Sequence, residues 1–280
     1  VSTWAELRGS RELLTNLTMR EVRGKYKRTV LGQGWSLLNP LASIAIFSLV
    51  FGFLLKANPP PGNPSGLDAF GLWLATGLLP WAFFSGAVVA GMSSLIVNAN
   101  LVKKVYFPRE LLVSSSVLSF VVTFAIELGV LSVLLLVWGG RPLLWLPVVA
   151  VAVVLLAVFA LGLALILAIA NVYFRDTGHL VALVFQFWFY LTPVVYPTTL
   201  VDKAVAAHGG FHLVGFRLPV AHLYRLNPME RFVAVFRALL YDNRWPAWQD
   251  WVGAGAAAVL AFVLGAVVFQ RFSRRLAEEL

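Results

Sequence analysis

Cysteine is absent from the 280 residues, so neither disulfides nor thiolate chemistry is available to this chain. Charge is scarce: Asp, Glu, Lys and Arg make up 12%, about half the ~25% of an ordinary soluble domain. There is no glycine-rich GxxxxGK loop ending in Ser or Thr, which excludes ATP hydrolysis by that route. HExxH, GxSxG and Cys/His zinc patterns are missing too. The four histidines are His179, His208, His212 and His222. Three of them fall in one late segment, where a metal site is the weaker alternative to scattered interfacial histidines.

Apolar sequence is what the chain does have. Hydrophobic residues make up 60%, and long apolar runs recur from end to end. This is the composition of a polytopic membrane protein. Lipid leaves the backbone to satisfy itself, which permits helices or a closed barrel, and these runs are too long and too continuous for barrel strands. The predicted fold is all-α, with six spans near 36–55, 69–97, 111–138, 143–170, 180–197 and 251–269, forming a transmembrane unit over 36–270. The first apolar run follows a long basic segment without a small-residue cleavage site, so no removable signal peptide is expected. A net charge of +9 would suggest nucleic acid for a soluble chain. Here the basic residues are better read as holding one face against anionic lipid, with no nucleic-acid partner.

Residues 1–35 are amphipathic. Leu13, Leu17, Val22, Tyr26 and Val30 recur at helical spacing, and Arg20, Arg23, Lys25, Lys27 and Arg28 fill the other faces. Such a segment lies in the headgroup plane. It is either a basic anchor that fixes orientation or a platform that meets lipid phosphates or a partner. The second span contains Gly77 and Pro80, so a kink is expected there. Residues 98–110 are polar and basic, with Asn98 or Asn100 able to cap a short helix and Pro108 to end it. A turn at Gly139–Pro142 joins the third and fourth spans. Residues 198–250 form a long segment before the last span, and 271–280 are a charged tail. Within the long segment Asn227, Pro228 and Glu230 fit a capping box, followed by an apolar stripe of Met229, Phe232, Val233, Phe236, Leu239 and Leu240. A helix over 228–241 is about 20 Å long, too short to span, and is read as re-entrant or interfacial. Seven Lys or Arg precede the first span, while the first and third loops carry one each, which puts both termini in the cytosol.

Three places could carry function. Glu127 is the only charge deep inside a predicted span; it is either kept protonated or paired on a neighbouring helix, or it is a functional group. Arg175, Asp176 and His179 sit within about one helical turn, either as an interfacial cluster ending one helix and starting another or as a contact that transmits force. The uncharged run from Leu180 to Pro197 is unusually aromatic. Its rings either pack ordinarily in lipid or line a passage, where flat apolar faces suit the C–H faces of sugars and Gln186 and Thr192 add hydrogen bonds.

Four segments together resemble one family. They are Arg23-Gly-Lys-Tyr-Lys-Arg28 with Leu31-Gly-Gln-Gly-Trp-Ser-Leu-Leu-Asn-Pro40; Asn98-Ala-Asn-Leu-Val-Lys-Lys-Val-Tyr-Phe-Pro-Arg-Glu110; Tyr173-Phe-Arg-Asp-Thr-Gly-His-Leu180 with Tyr190-Leu-Thr-Pro-Val-Val-Tyr-Pro197; and Leu226-Asn-Pro-Met229. In this order they resemble the membrane (permease) subunit of bacterial ABC exporters of lipid-linked cell-surface polysaccharide: O-antigen, teichoic acid, capsule or galactan. The resemblance implies a homodimer in the cytoplasmic membrane, joined to two copies of a separate ABC ATPase subunit that holds ATP and Mg, with no catalytic residue, metal or cofactor in this chain. It assigns Asn100, Lys103, Lys104, Tyr106, Phe107 and Arg109, with Arg175 and Asp176, to coupling with the ATPase, within a coupling helix at 98–110. It assigns Phe185, Gln186, Trp188, Phe189, Tyr190, Thr192 and Tyr196 to the passage, and 198–250 to an outer gate. Arg20, Arg23, Lys25, Lys27 and Arg28 are expected to meet the pyrophosphate of the carrier lipid. A permease for a drug or small lipid is the alternative within transport. An intramembrane glycosyl- or acyltransferase, or a channel or proton-coupled carrier built on Glu127, lies outside that class.

Overall fold

The computed structural model describes residues 4–25, 32, 34–54, 60–105, 107–200, 211–213, 216–218, 224 and 226–273. Among these the chain is helical apart from one antiparallel hairpin, β1 (Phe211–Leu213) with β2 (Phe216–Leu218), in which Phe211 pairs with Leu218.

Four helices are long and apolar enough to cross a membrane. They are α3 (Phe70–Val97), α5 (Glu110–Val137), α6 (Leu146–Tyr173, entered through a 3-10 turn at Pro142–Trp145) and α9 (Trp248–Phe272). Each has at least 25 residues, hence about 38 Å or more at 1.5 Å per residue, against ~30 Å of hydrocarbon. They correspond to the second, third, fourth and sixth predicted spans.

The other two apolar helices are shorter. α2 (Gly34–Phe47) continues as a π-helix over Ser48–Leu54. α7 (Thr177–Leu191) has 15 residues, about 22 Å. The helix predicted to run to Pro197 therefore stops six residues early. Thr192 is extended, with φ −101° and ψ 136°, because the ring of Pro193 disfavours helical backbone in the residue before it. α3 is one helix through Gly77 and Pro80; neighbours bury this stretch, and proline is tolerated where surrounding helices support the backbone.

α3 is the hub of the bundle. Leu74, Phe84, Ala87, Val88 and Leu95 are fully buried, and α5, α6, α7 and a later helix at Pro228–Arg237 pack around it. α6 lies along α9 at backbone contact distance. A Cβ on Gly162 would collide with the Ala261 backbone, and one on Gly265 with Gly162. Ala254, Ala258, Ala261 and Gly265 bury a stripe of small residues on α9, the usual way for membrane helices to approach closely. α8 (Pro228–Arg237) continues as a π-helix through Asp242 and buries all six apolar residues of the predicted stripe. α1 (Trp4–Lys25) packs along α5 through the buried Leu17, and the Lys25 ammonium sits 3.2 Å above the Phe120 ring. A short helix, α4 (Ala99–Lys104), follows α3 directly.

Candidate functional site

The end of the bundle beyond α3 carries α4. Val102 is buried and anchors the helix, so Asn100, Lys103 and Lys104 are left exposed. Asn98 does not cap α4. Its amide nitrogen donates to the Ser94 carbonyl at 2.9 Å, and its oxygen accepts from Arg20 of α1 at 2.7 Å. Arg20, expected at a lipid pyrophosphate, is thus a tie between α1 and the start of α4, and it also pairs with Glu21 at 2.9 Å. Of the other residues expected there, Lys25 is held over Phe120 and Arg23 is exposed. Lys27 and Arg28 lie outside the described residues, as does Tyr106.

Arg109 is half-buried and donates to the Ser273 carbonyl at the end of α9. The loop after α4 is therefore fastened to the last helix, with Phe107 packed against the core. At the same end, Arg175 and Asp176 are exposed in the turn between α6 and α7. The Thr177 hydroxyl tightens this turn by donating to the Phe174 carbonyl at 2.6 Å.

The structure does not bring the seven expected passage residues to one wall. A helix turns 100° per residue, and α7 shows two faces. Phe185 is buried against Trp81, Phe84 and Trp188, with ring centroids 5.4–6.3 Å apart. Trp188 packs edge-on to Phe84 at 5.3 Å and donates to Asn227 at 2.7 Å. Thr192 is fully buried and accepts from the Asn227 amide at 3.0 Å. Phe189 is half-buried, 5.6 Å from Trp81. Gln186 and Tyr190 point the other way with Leu183, Val184 and Phe187, which is 72% exposed. Tyr196 donates to the Tyr190 carbonyl at 2.6 Å and accepts from Tyr224 at 3.3 Å.

Asn227 fastens α7 to α8 with four hydrogen bonds. Its oxygen accepts from Trp188 and the Met229 amide; its nitrogen donates to the Leu191 carbonyl and Thr192. The sequence marks Asn227 as a helix cap and as part of the Leu226–Met229 segment, not as a tie to α7. It gives no sign of the aromatic partners Trp81, Phe84 and Phe159, which come from two other helices. Arg237 was also missed as more than a charge in a long segment. It is buried, stacks on Trp73 at 3.8 Å, and donates to the Pro193 and Val194 carbonyls at 2.5 and 2.6 Å. Two N–H groups thereby cap the carbonyls freed where α7 breaks. Glu127 lines an apolar cavity of about 230 Å³ between α2, α3 and α5, with Leu41, Ile44, Leu72 and Leu79 among its walls. Its electrostatic partner is Lys25 of α1.

These features define a multi-pass helical membrane protein with polar, solvent-facing elements at one end and no catalytic constellation among the described residues. Residues 12–207 match the family model described as ABC-2 type transporter. The chain belongs to that family, the membrane permeases of ABC transporters in the bacterial cytoplasmic (inner) membrane. It is 29% identical over 275 residues to the O-antigen export system permease protein RfbA of Myxococcus xanthus, covering 98% of each chain. It is 31% identical over 196 residues to a protein of the same name from Klebsiella pneumoniae, covering 69% of this chain and 71% of that one.

Proposed function

We propose that this chain is the membrane subunit of an ATP-driven exporter that moves polyprenyl-pyrophosphate-linked polysaccharide out of the cytosol. The observation that carries this reading is the likeness over 98% of both chains to a permease named for O-antigen export. Six crossings with both termini cytosolic, counting α2 with its π-helical extension and α7 with the turns that follow it, agree with the basic residues before α2 and around α4. Two copies meet along α2 and α7, and two ATPase subunits dock at the exposed Asn100, Lys103 and Lys104 and at the Arg175–Asp176 turn. Arg109 and Arg20 tie this docking end to α9 and α1, so a push on α4 is shared among three helices.

The passage runs along the seam between copies. Its wall is the outward face of α7, Gln186, Phe187 and Tyr190, while Phe185 and Trp188 stiffen that helix from behind. Depleting the protein and following the lipid-linked glycan tests the reading. Accumulation of the glycan on the cytosolic leaflet is expected, and an unchanged distribution would sink the export role.

A further inference from the structure

At the end of the bundle opposite α4, between α8 and the turns that follow α7, lies a second cavity of about 220 Å³. That is below the ~300 Å³ lower end of sites for drug-sized ligands and suits one ring of monosaccharide size. Its walls carry charge and hydroxyls: Arg237, Arg244, Asp242, Asp250, Thr198 and Thr199, with Glu230 at the α8 side.

Charge balance narrows the ligand. Arg237 spends two N–H groups on the Pro193 and Val194 carbonyls, which fixes it in the wall. Three carboxylates and two guanidinium groups line the cavity, and Arg231 beside it pairs with Glu230 at 3.3 Å and Asp250 at 2.7 Å. Among the described residues the local sum is zero, so neither phosphate nor an organic cation gains attraction from them. Asp242 and Asp250 keep acceptor capacity beyond their pairs with Arg244 and Arg231, since each carboxylate has about four lone-pair sites. Neighbouring donors and acceptors without net charge match adjacent hydroxyls, each of which both donates and accepts.

The geometry points to a subsite for one neutral sugar ring, placed where the exported chain leaves the membrane. The assignment rests on the polysaccharide-export reading and adds to it a point of contact within a single copy, apart from the seam. A ring held there briefly would keep the emerging chain from sliding back between strokes of the motor.

The test uses the full permease with its ATPase subunits in lipid nanodiscs, free of maltoside detergent. Saturation-transfer NMR is run with galactose, glucose, mannose and rhamnose, and with glucuronate and inorganic phosphate as charged competitors. At least one neutral sugar should take up saturation. Arg244→Ala and Thr199→Val should each lower that signal about fivefold, the loss expected for one hydrogen bond, with ATP hydrolysis retained. Absence of signal from every neutral sugar, insensitivity to both variants, or displacement by phosphate overturns the subsite. Protein that exports its glycan but binds no sugar refutes the subsite alone. Protein whose depletion leaves the glycan in place, yet which binds sugar through Arg244, refutes export and retains the sugar site.

Discussion

Arg237 and Gly77 act as a pair. The guanidinium fits between Trp73 and the backbone of α3 because position 77 has no side chain; a Cβ there would lie 2.9 Å from Nη2. The far end of an arginine can usually step aside, but this one is pinned by two carbonyls. Gly77→Ala should therefore destabilise the protein by about 1–3 kcal/mol, the usual cost of overpacking. Gly129→Ala on α5 meets nothing within 4 Å and should be neutral or stabilising. Thermal unfolding of the two purified variants compares them directly. The sequence makes Glu127 conspicuous, because a lone charge in an apolar run stands out. Arg237 is hidden among the charges of a long segment, because the carbonyls that justify its burial lie more than 40 residues away. Lys25 is hidden in the same way among basic neighbours. Burial lowers its ammonium to about 8 from the ordinary 10.5, against the attraction of Glu21 and Glu127. When α1 detaches, Lys25 regains its ordinary affinity for the proton. Between about pH 8 and 10.5 the detached state binds more protons, so docking of α1 on α5 should tighten as pH rises through that window. A nitroxide at the exposed Thr15 should lose mobility over this range, and Lys25→Met should remove the dependence.

At the scale of elements, hydropathy locates the long helices to within a few residues, because it reports which backbone must satisfy itself in lipid. It reports less well where a hydrogen-bond ladder stops. Thr192 to Pro197 is as apolar as the helix before it, yet the prolines turn it into a run of turns and bends, two of whose carbonyls Arg237 collects. Pro80, by contrast, lies inside one unbroken helix. The short α4 is legible from its polar composition, but the ties that orient it are not. Arg20→Ala should loosen α1 from α4 without touching the exposed Asn100, Lys103 or Lys104. The expected outcome is intact assembly with the ATPase subunits but a weaker link between ATP consumption and export. ATP hydrolysed per glycan exported, measured on the reconstituted complex, checks this; an unchanged ratio would show that Arg20 is only a surface ion pair, usually worth less than ~1 kcal/mol.

For the whole molecule, the two faces of α7 decide how copies would be arranged in the proposed dimer. The inner face is committed to Trp81, Phe84 and Asn227, so only the outer face is left for a partner. Leu180, Leu183, Val184, Phe187 and Leu191 are all more than half exposed there, as are Ile46, Leu49 and Phe53 on the first apolar helix. Lipid can cover such residues, so exposure alone does not distinguish a seam from an outer wall. The absence of cysteine makes the distinction measurable, since any thiol introduced is the only one in the chain. Phe187→Cys, on the outer face, should crosslink two copies in native membranes through a short bifunctional thiol reagent. Leu260→Cys, also exposed but on α9 away from the proposed seam, should not. ATP and a hydrolysis-deficient ATPase partner should change the yield at position 187 if closure of the motor parts the seam. Equal crosslinking at both positions, or none at 187, would place the α7 face in lipid and require the glycan to pass by another route.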